Sequence, residues 1–227
     1  MTHENGGTAK FDDYAQNYSA LHTASVSASG ESGEYFAQHK LDCLARLGIS
    51  GDTPILDYGC GIGNLTCRLV ERYAVVHGYD PSAESLDVAR KRAPTASFSN
   101  HPSALPEGGF GAAVLAGVLH HVPPAERRGL LQTVLSKLSP GGRLVVFEHN
   151  PFNPLTRKAV ADCPFDDDAI LLRPKELKHL LADSGFLDVR QDFVLFFPRF
   201  LAWLRPLEPQ LRWFFLGAQT LTVAKRP

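Results

Sequence analysis

The sequence is short of most features that announce a special environment. Four cysteines stand among 227 residues, Cys43, Cys60, Cys67 and Cys163, and they form neither a CxxC pair nor a zinc-ligand spacing. A disulfide framework is therefore not expected, and reduced thiols in a cytoplasm are the simpler reading. No window approaches the roughly 18 uninterrupted apolar residues of a membrane span. The opening "MTHENGGTAKFDDYAQ" has no apolar core and does not read as a signal peptide. Neither sign of charge dominates: 23 basic against 24 acidic residues give a formal charge of −1, with no global pull toward nucleic acid. Internal repeats and low-complexity tracts are lacking as well. What remains, 44% apolar and 21% charged residues, is the composition of an ordinary globular domain long enough to bury a large core.

Apolar runs alternate with amphipathic stretches, which predicts an α/β fold around a parallel sheet. "PILDYG", "AVVHGYD", "ASFSN", "FGAAVLAGVLHHV" and "RLVVFEHN" read as five strands. Helices are expected over Asn64 to Tyr73, after a Ser82 cap, from Pro124 to about Leu138, and over "RPKELKHLLADSGF". "DVRQDFVLFF" and "LGAQTLTVAKR" read as two closing strands. Residues 1–50 read as two amphipathic helical pieces, and 51–227 as the main domain. Within the latter, 150–172 is an insertion after the fifth strand and 193–216 an aromatic segment.

The stretch "ILDYGCGIGN" sets Gly59, Gly61 and Gly63 behind a strand that carries Asp57. Such a loop suits a nicotinamide dinucleotide, S-adenosylmethionine, or only a tight strand-to-helix turn. The dinucleotide fingerprint G-x-G-x-x-G lacks its third glycine, because Asn64 occupies that position. Asp57 would repel a pyrophosphate but would accept hydrogen bonds from an ammonium group near a sulfonium. Asp80, ending the second strand, is placed to bind ribose hydroxyls in either ligand class.

"ILDYGCGIGN", "GYDPS", "VLHHV" and "LSPGGRLVVFEH", in this order and at these spacings, resemble class I S-adenosylmethionine-dependent methyltransferases over roughly residues 50–150. The resemblance implies a Rossmann-like seven-stranded sheet with helices on both faces, its last strand antiparallel between strands five and six. It also implies that Asp57, Gly59, Gly61 and Gly63 hold the methionine part of the cofactor and Asp80 the ribose, with Pro81 over one adenine face. S-adenosylhomocysteine would be the product. An acidic "DA-x-x-LP" segment that meets adenine in the family reads "HPSALP" here, with His101 in place of the acid. "FDDYAQNY" is similar to an N-terminal lid helix of related enzymes, which brings Tyr14 and Tyr18 toward the acceptor and cofactor.

Methyl transfer to a hydroxyl needs a base, and His120, His121 and His149 lie at strand ends on the ligand rim. Glu148, Asn150, Asn153 and Arg157 are candidate acceptor contacts, with Arg157 and Lys158 alternatively on a solvated helix face. Asp166, Asp167 and Asp168 face different ways and no histidine joins them in sequence, so a cap is expected rather than a metal site. Cys163 reads as a buried structural thiol.

Residues 193–216 mix Phe, Trp and Arg. That suits a bulky apolar or lipid-linked acceptor, or peripheral contact with a membrane, as well as a plain cap or dimer contact. The reading is methylation of a small, apolar or lipid-linked acceptor at oxygen or carbon, by a monomer or homodimer without nucleic acid. The rivals are a non-catalytic cofactor-binding subunit and an NAD(P)-dependent oxidoreductase.

Overall fold

The computed structural model describes residues 29–227, so the expected lid segment with Tyr14 and Tyr18 lies outside the described residues. The strands are β1 (Ile55–Tyr58), β2 (Val76–Tyr79), β3 (Ser97–Ser99), β4 (Phe110–Ala116), β5 (Leu138–His149), β6 (Leu187–Val194) and β7 (Gln219–Lys225). They form one seven-stranded sheet in the order β3-β2-β1-β4-β5-β7-β6. The first five pair in parallel, and β7 runs antiparallel to both β5 and β6. The closing hairpin expected from the sequence is therefore present.

Alternation along the strands sorts side chains onto two cores. Leu56, Ala113, Leu115, Leu144 and Val146 face one layer with α4 (Pro124–Lys137) and α6 (Pro174–Asp183), whose Leu131, Leu177 and Leu181 are buried there. Ile55, Val114, Val145 and Phe147 face the other layer with α1 (Gly33–Arg46) and the short α2 (Thr66–Leu69). The Ser32 hydroxyl caps α1 by accepting from the Tyr35 amide. Its residues Ala37, Leu41 and Leu44 recur at helical spacing on the buried face. Ser82 likewise accepts from the Ser85 amide at 3.0 Å to start α3 (Ala83–Arg92), whose last turn carries Arg90, Lys91 and Arg92 against the helix dipole.

Three boundaries differ from the sequence reading. The regular helix after the glycine loop covers Thr66–Leu69 rather than Asn64 to Tyr73. β4 stops at Ala116, because Gly117 adopts φ +72° and turns the chain into a 3-10 turn over Leu119–His121. β5 starts at Leu138, so "SPGG" lies within the strand instead of before it. The insertion folds into α5 (Pro154–Ala161) and a 3-10 turn over Pro164–Asp166, and the aromatic segment into kinked 3-10 structure over Arg199–Gln210. No helix among the described residues is long and apolar enough to cross a membrane.

Leu44 is fully buried and makes α1 part of the central core. Leu44→Ala should lower unfolding free energy by about 2–5 kcal/mol in denaturant titration, the usual range for an unrelaxed core cavity. A loss below about 1 kcal/mol would show that α1 packs loosely.

Candidate functional site

The carboxyl ends of β1, β2, β4 and β5 meet at one rim. After β1 the chain turns back so that the Gly59 and Cys60 amides donate to the Tyr79 carbonyl at 2.7 and 2.9 Å. The Gly61 amide then donates to Asp80 Oδ2 at 2.8 Å, and the Ser82 amide to Oδ1 at 3.0 Å. Gly59 (φ +79°) presses on the β4 exit: a Cβ there would lie 2.6 Å from a Val118 methyl. Gly61 (φ +51°) has nothing within 4 Å on that side, which leaves its backbone open to a ligand. Asn64, in place of a third glycine, accepts from the Arg92 guanidinium at 2.6 Å and so ties the loop to α3.

Asp57 is 1% exposed and accepts a hydrogen bond from the Thr66 hydroxyl at 2.7 Å. Burial outweighs that bond and, with the nearby Asp80 charge, pushes its carboxyl up to about 6. A buried carboxylate so placed calls for a cationic group. Pro81 and His101 are exposed beside this loop, and the His101 amide and carbonyl both engage the Ser99 hydroxyl.

At the β5 end, successive residues point to opposite faces. Glu148 is 1% exposed and aims at the β4 exit, where Oε1 accepts from the Val118 and Leu119 amides at 3.2 and 2.7 Å. Its Oε2 accepts from His120 Nδ1 at 2.6 Å. Burial opposes the charge on His120, but Glu148 and Asp166 overcome it and hold the imidazole up to about 9. Asp166 Oδ1 also lies 3.3 Å from His121 Nε2, so the fold brings to this carboxylate the histidines that the sequence does not set beside it. His120 and Glu148 thus serve each other rather than open space.

His149 faces the other way, into a cavity of about 140 Å³ walled by Tyr35, Phe36, Leu155, Leu195, Phe196 and Phe197. Lys40 also lines it, near Asp57, and burial pulls its ammonium down to about 8. Burial and the neighbouring His120 charge pull His149 down to about 4, so its ring is neutral at ordinary pH. Asn153 lines the cavity as well. Its Oδ1 caps α5 by accepting from the Leu155 and Thr156 amides, and its Nδ2 donates to the Leu216 carbonyl at 2.7 Å. Asn150 is fully buried and donates to the Phe215 and Gly217 carbonyls at 2.7 and 2.6 Å, which makes it a clamp on the β7 approach. Arg157 is exposed and stands apart from the cavity wall.

The arginines of the aromatic segment have internal tasks. Arg205 meets Glu31 at 2.5 Å and lies 4.5 Å over the Tyr35 ring, and Arg212 lies 3.7 Å from Asp192. The acceptor-side residues Tyr35, Phe36 and Lys40 went unmarked in the sequence. The available signal was their shared α1 face, with Phe36 and Lys40 four apart.

With this geometry in view, residues 55–142 match a family model described as a methyltransferase domain. Over these residues the chain is similar to that family, and its sheet has the fold of the class I S-adenosylmethionine-dependent methyltransferases. Among curated relatives, a trans-aconitate 2-methyltransferase of Methylobacterium nodulans is 35% identical over 136 residues, 55% of this chain and 50% of the relative. One from Mycobacterium ulcerans is 28% identical over 197 residues, 78% and 72% of the two chains. The match thus spans about half the length of the first relative. Among solved structures, a methyltransferase domain from Thermotoga maritima, described as a possible histamine N-methyltransferase, superposes with TM-score 0.69 at 17% identity. It covers 98% of this chain and all of its own. Magnesium protoporphyrin IX methyltransferase of Synechocystis, solved with bound S-adenosylmethionine, gives 0.66 at 15% identity over the full length of both. These distant likenesses concern the fold.

The two glycines of the methyltransferase loop should respond differently to a methyl group. Both Gly59→Ala and Gly61→Ala meet left-handed strain of about 1–2 kcal/mol. Gly59→Ala also collides with Val118, so thermal or chemical unfolding should show it about 1–3 kcal/mol less stable than Gly61→Ala. Equal stabilities would contradict the packing described for Gly59.

Proposed function

We propose that this protein transfers the methyl group of S-adenosylmethionine to an oxygen of a small, largely apolar acceptor. The observation that carries the reading is the cavity at the end of β5, whose aromatic and aliphatic wall also carries neutral His149 and the Lys40 ammonium that reaches electrostatically to Asp57. Asp57 is assigned to the ammonium of the cofactor, Gly59, Gly61 and Gly63 to the backbone cradle around its methionine part, and Asp80 to the ribose hydroxyls. Pro81 and His101 flank the adenine side. When bound, the cofactor supplies an electrophilic methyl carbon on a sulfonium that leaves as a neutral thioether.

The protein must hold the acceptor oxygen in line and remove its proton. His149 takes that proton on a ring nitrogen, since burial keeps the ring unprotonated. The Lys40 ammonium lies in the same cavity and offsets the charge that develops on the oxygen. His120, both of whose ring nitrogens face carboxylates, orients the rim instead of meeting the acceptor. A second reading, an acidic acceptor of the kind that trans-aconitate in the relatives' name suggests, draws on the same lysine. The apolar wall and the single lysine favour an acceptor with one acidic oxygen over a polyanion.

Asp57→Asn should weaken S-adenosylmethionine binding in calorimetry by more than tenfold, a charge-assisted pair being worth roughly 1.5–3 kcal/mol. For the unaltered protein, the ammonium binds the ionised carboxylate. Affinity should therefore hold above pH about 6 and fall as pH drops below it, while protons compete for Asp57. Affinity flat from pH 7 to 5 would remove Asp57 from the ammonium site.

An acceptor screen that follows S-adenosylhomocysteine release would test the reaction itself. With an identified acceptor, His149→Ala should lower kcat about 10²–10⁴-fold and leave cofactor affinity unchanged. Unchanged turnover would exclude His149 as base. Turnover of polycarboxylates but not of apolar hydroxyl compounds would select the second reading.

A further inference from the structure

Two histidines and one aspartate converge next to His149. His120 Nε2 lies 3.7 Å and His121 Nε2 3.3 Å from the same oxygen, Asp166 Oδ1. A charged N–H···O⁻ bond closes to about 2.7–2.9 Å. The His120–Glu148 contact a few ångströms away does so, at 2.6 Å. The longer pair of distances instead brackets the edge of a coordination tetrahedron, about 3.4 Å for metal bonds of about 2.1 Å. All three donor atoms lie within 4.8 Å of one another.

The surroundings fit the same purpose. Glu148 holds His120 Nδ1 at 2.6 Å and so directs Nε2 toward Asp166, where an arriving ion would displace the Nε2 proton. This carboxylate–histidine arrangement commonly stands behind a metal-bound imidazole. The backbone of Asp166 is held in its own turn, its amide donating to the Cys163 carbonyl at 3.0 Å and its carbonyl accepting from the Ala169 amide at 3.0 Å. The Ile170 amide donates to the His120 carbonyl at 2.8 Å, and Arg127 donates to the Ile170 and Val122 carbonyls at 2.7 and 2.9 Å. The buried Arg127 thus anchors the insertion to the β4 exit on both sides of the cluster. His121 is 16% exposed along its side chain, which gives an ion a way in.

We propose that His120, His121 and Asp166 bind one divalent transition-metal ion. Two imidazoles and one carboxylate suit Zn²⁺ or a neighbouring first-row ion rather than Mg²⁺ or Ca²⁺, which take oxygen ligands. Three protein ligands leave a coordination position for water or for an oxygen of a small molecule. The site joins the insertion to the end of β4 and stands on residues of this chain alone, whatever the acceptor.

The test is direct binding to the full chain, freed of any affinity tag and stripped with chelator. Titration with Zn²⁺ in a calorimeter should show one equivalent. Co²⁺ in its place should give the visible bands of a low-coordinate site without sulfur-to-metal charge transfer. His121→Ala and Asp166→Ala should each weaken Zn²⁺ binding at least 100-fold. Glu148→Gln should weaken it about 10–100-fold, and Asp168→Ala should leave it unchanged. Melting of each metal-free variant separates lost ligation from lost folding, and His121→Asn serves if His121→Ala does not fold. Zn²⁺ bound only in the millimolar range, affinity indifferent to His121, or a thiolate band with Co²⁺ would each overturn the proposal. None of these readouts depends on methyl transfer, so failure here leaves the proposed reaction standing.

Discussion

The arrangement of the rim depends on one buried carboxylate. Glu148 closes the gap between the ends of β4 and β5 by accepting from two backbone amides and one imidazole at once. Its acidity is kept in the ionised range by the His120 charge despite complete burial. Through Val118, whose amide it holds, the same residue braces the wall on which Gly59 rests. Through His120 it sets the ring that lies 5.0 Å from His149 and keeps that neighbour neutral. The glycine loop, the β4 exit and the acceptor cavity are thus mechanically joined at one side chain.

Electrostatics then divide the rim into zones. Asp57 and Asp80 make the loop side negative, suited to a cationic ligand. Lys40 sits where α1 crosses from that side to the cavity, over the Phe147 ring at 5.7 Å. Its lowered pKa and the raised pKa of Asp57 reflect the same scarcity of water. The low-dielectric setting that makes these charges costly in isolation strengthens their pairing with ligand groups.

The sheet and the glycine loop were legible because they rest on local rules. Strand periodicity, a serine cap and left-handed glycines leave direct traces in a sequence, and the placements of Ser82, Gly59 and Asp80 follow them. Where β4 ends was misread because "GVLHHV" is as apolar as a strand, while the positive φ of Gly117 decides the matter. The cavity was less legible because its wall comes from four stretches distant in sequence: α1, α5, the end of β6 and the start of β7. Asn150 and Arg205 illustrate the same limit. Their partners lie more than 60 residues away at Phe215 and Gly217, and at Glu31 and Tyr35, so residue type alone could not separate a fold clamp from a ligand contact.

The antiparallel insertion of β7 has a consequence for how such a protein can diversify. The loop side is built from β1, β2 and α3, whereas the cavity wall draws on α1, α5 and the long connection between β6 and β7. That connection leaves and re-enters the sheet at one side, between strands joined by an antiparallel ladder whose register is regular from Arg190 to Val194. Changes of length or sequence within it leave the register of the four strands beneath the glycine loop untouched. The cavity wall can therefore be reshaped by drift or segment exchange while the half of the sheet that carries the glycine loop stays fixed.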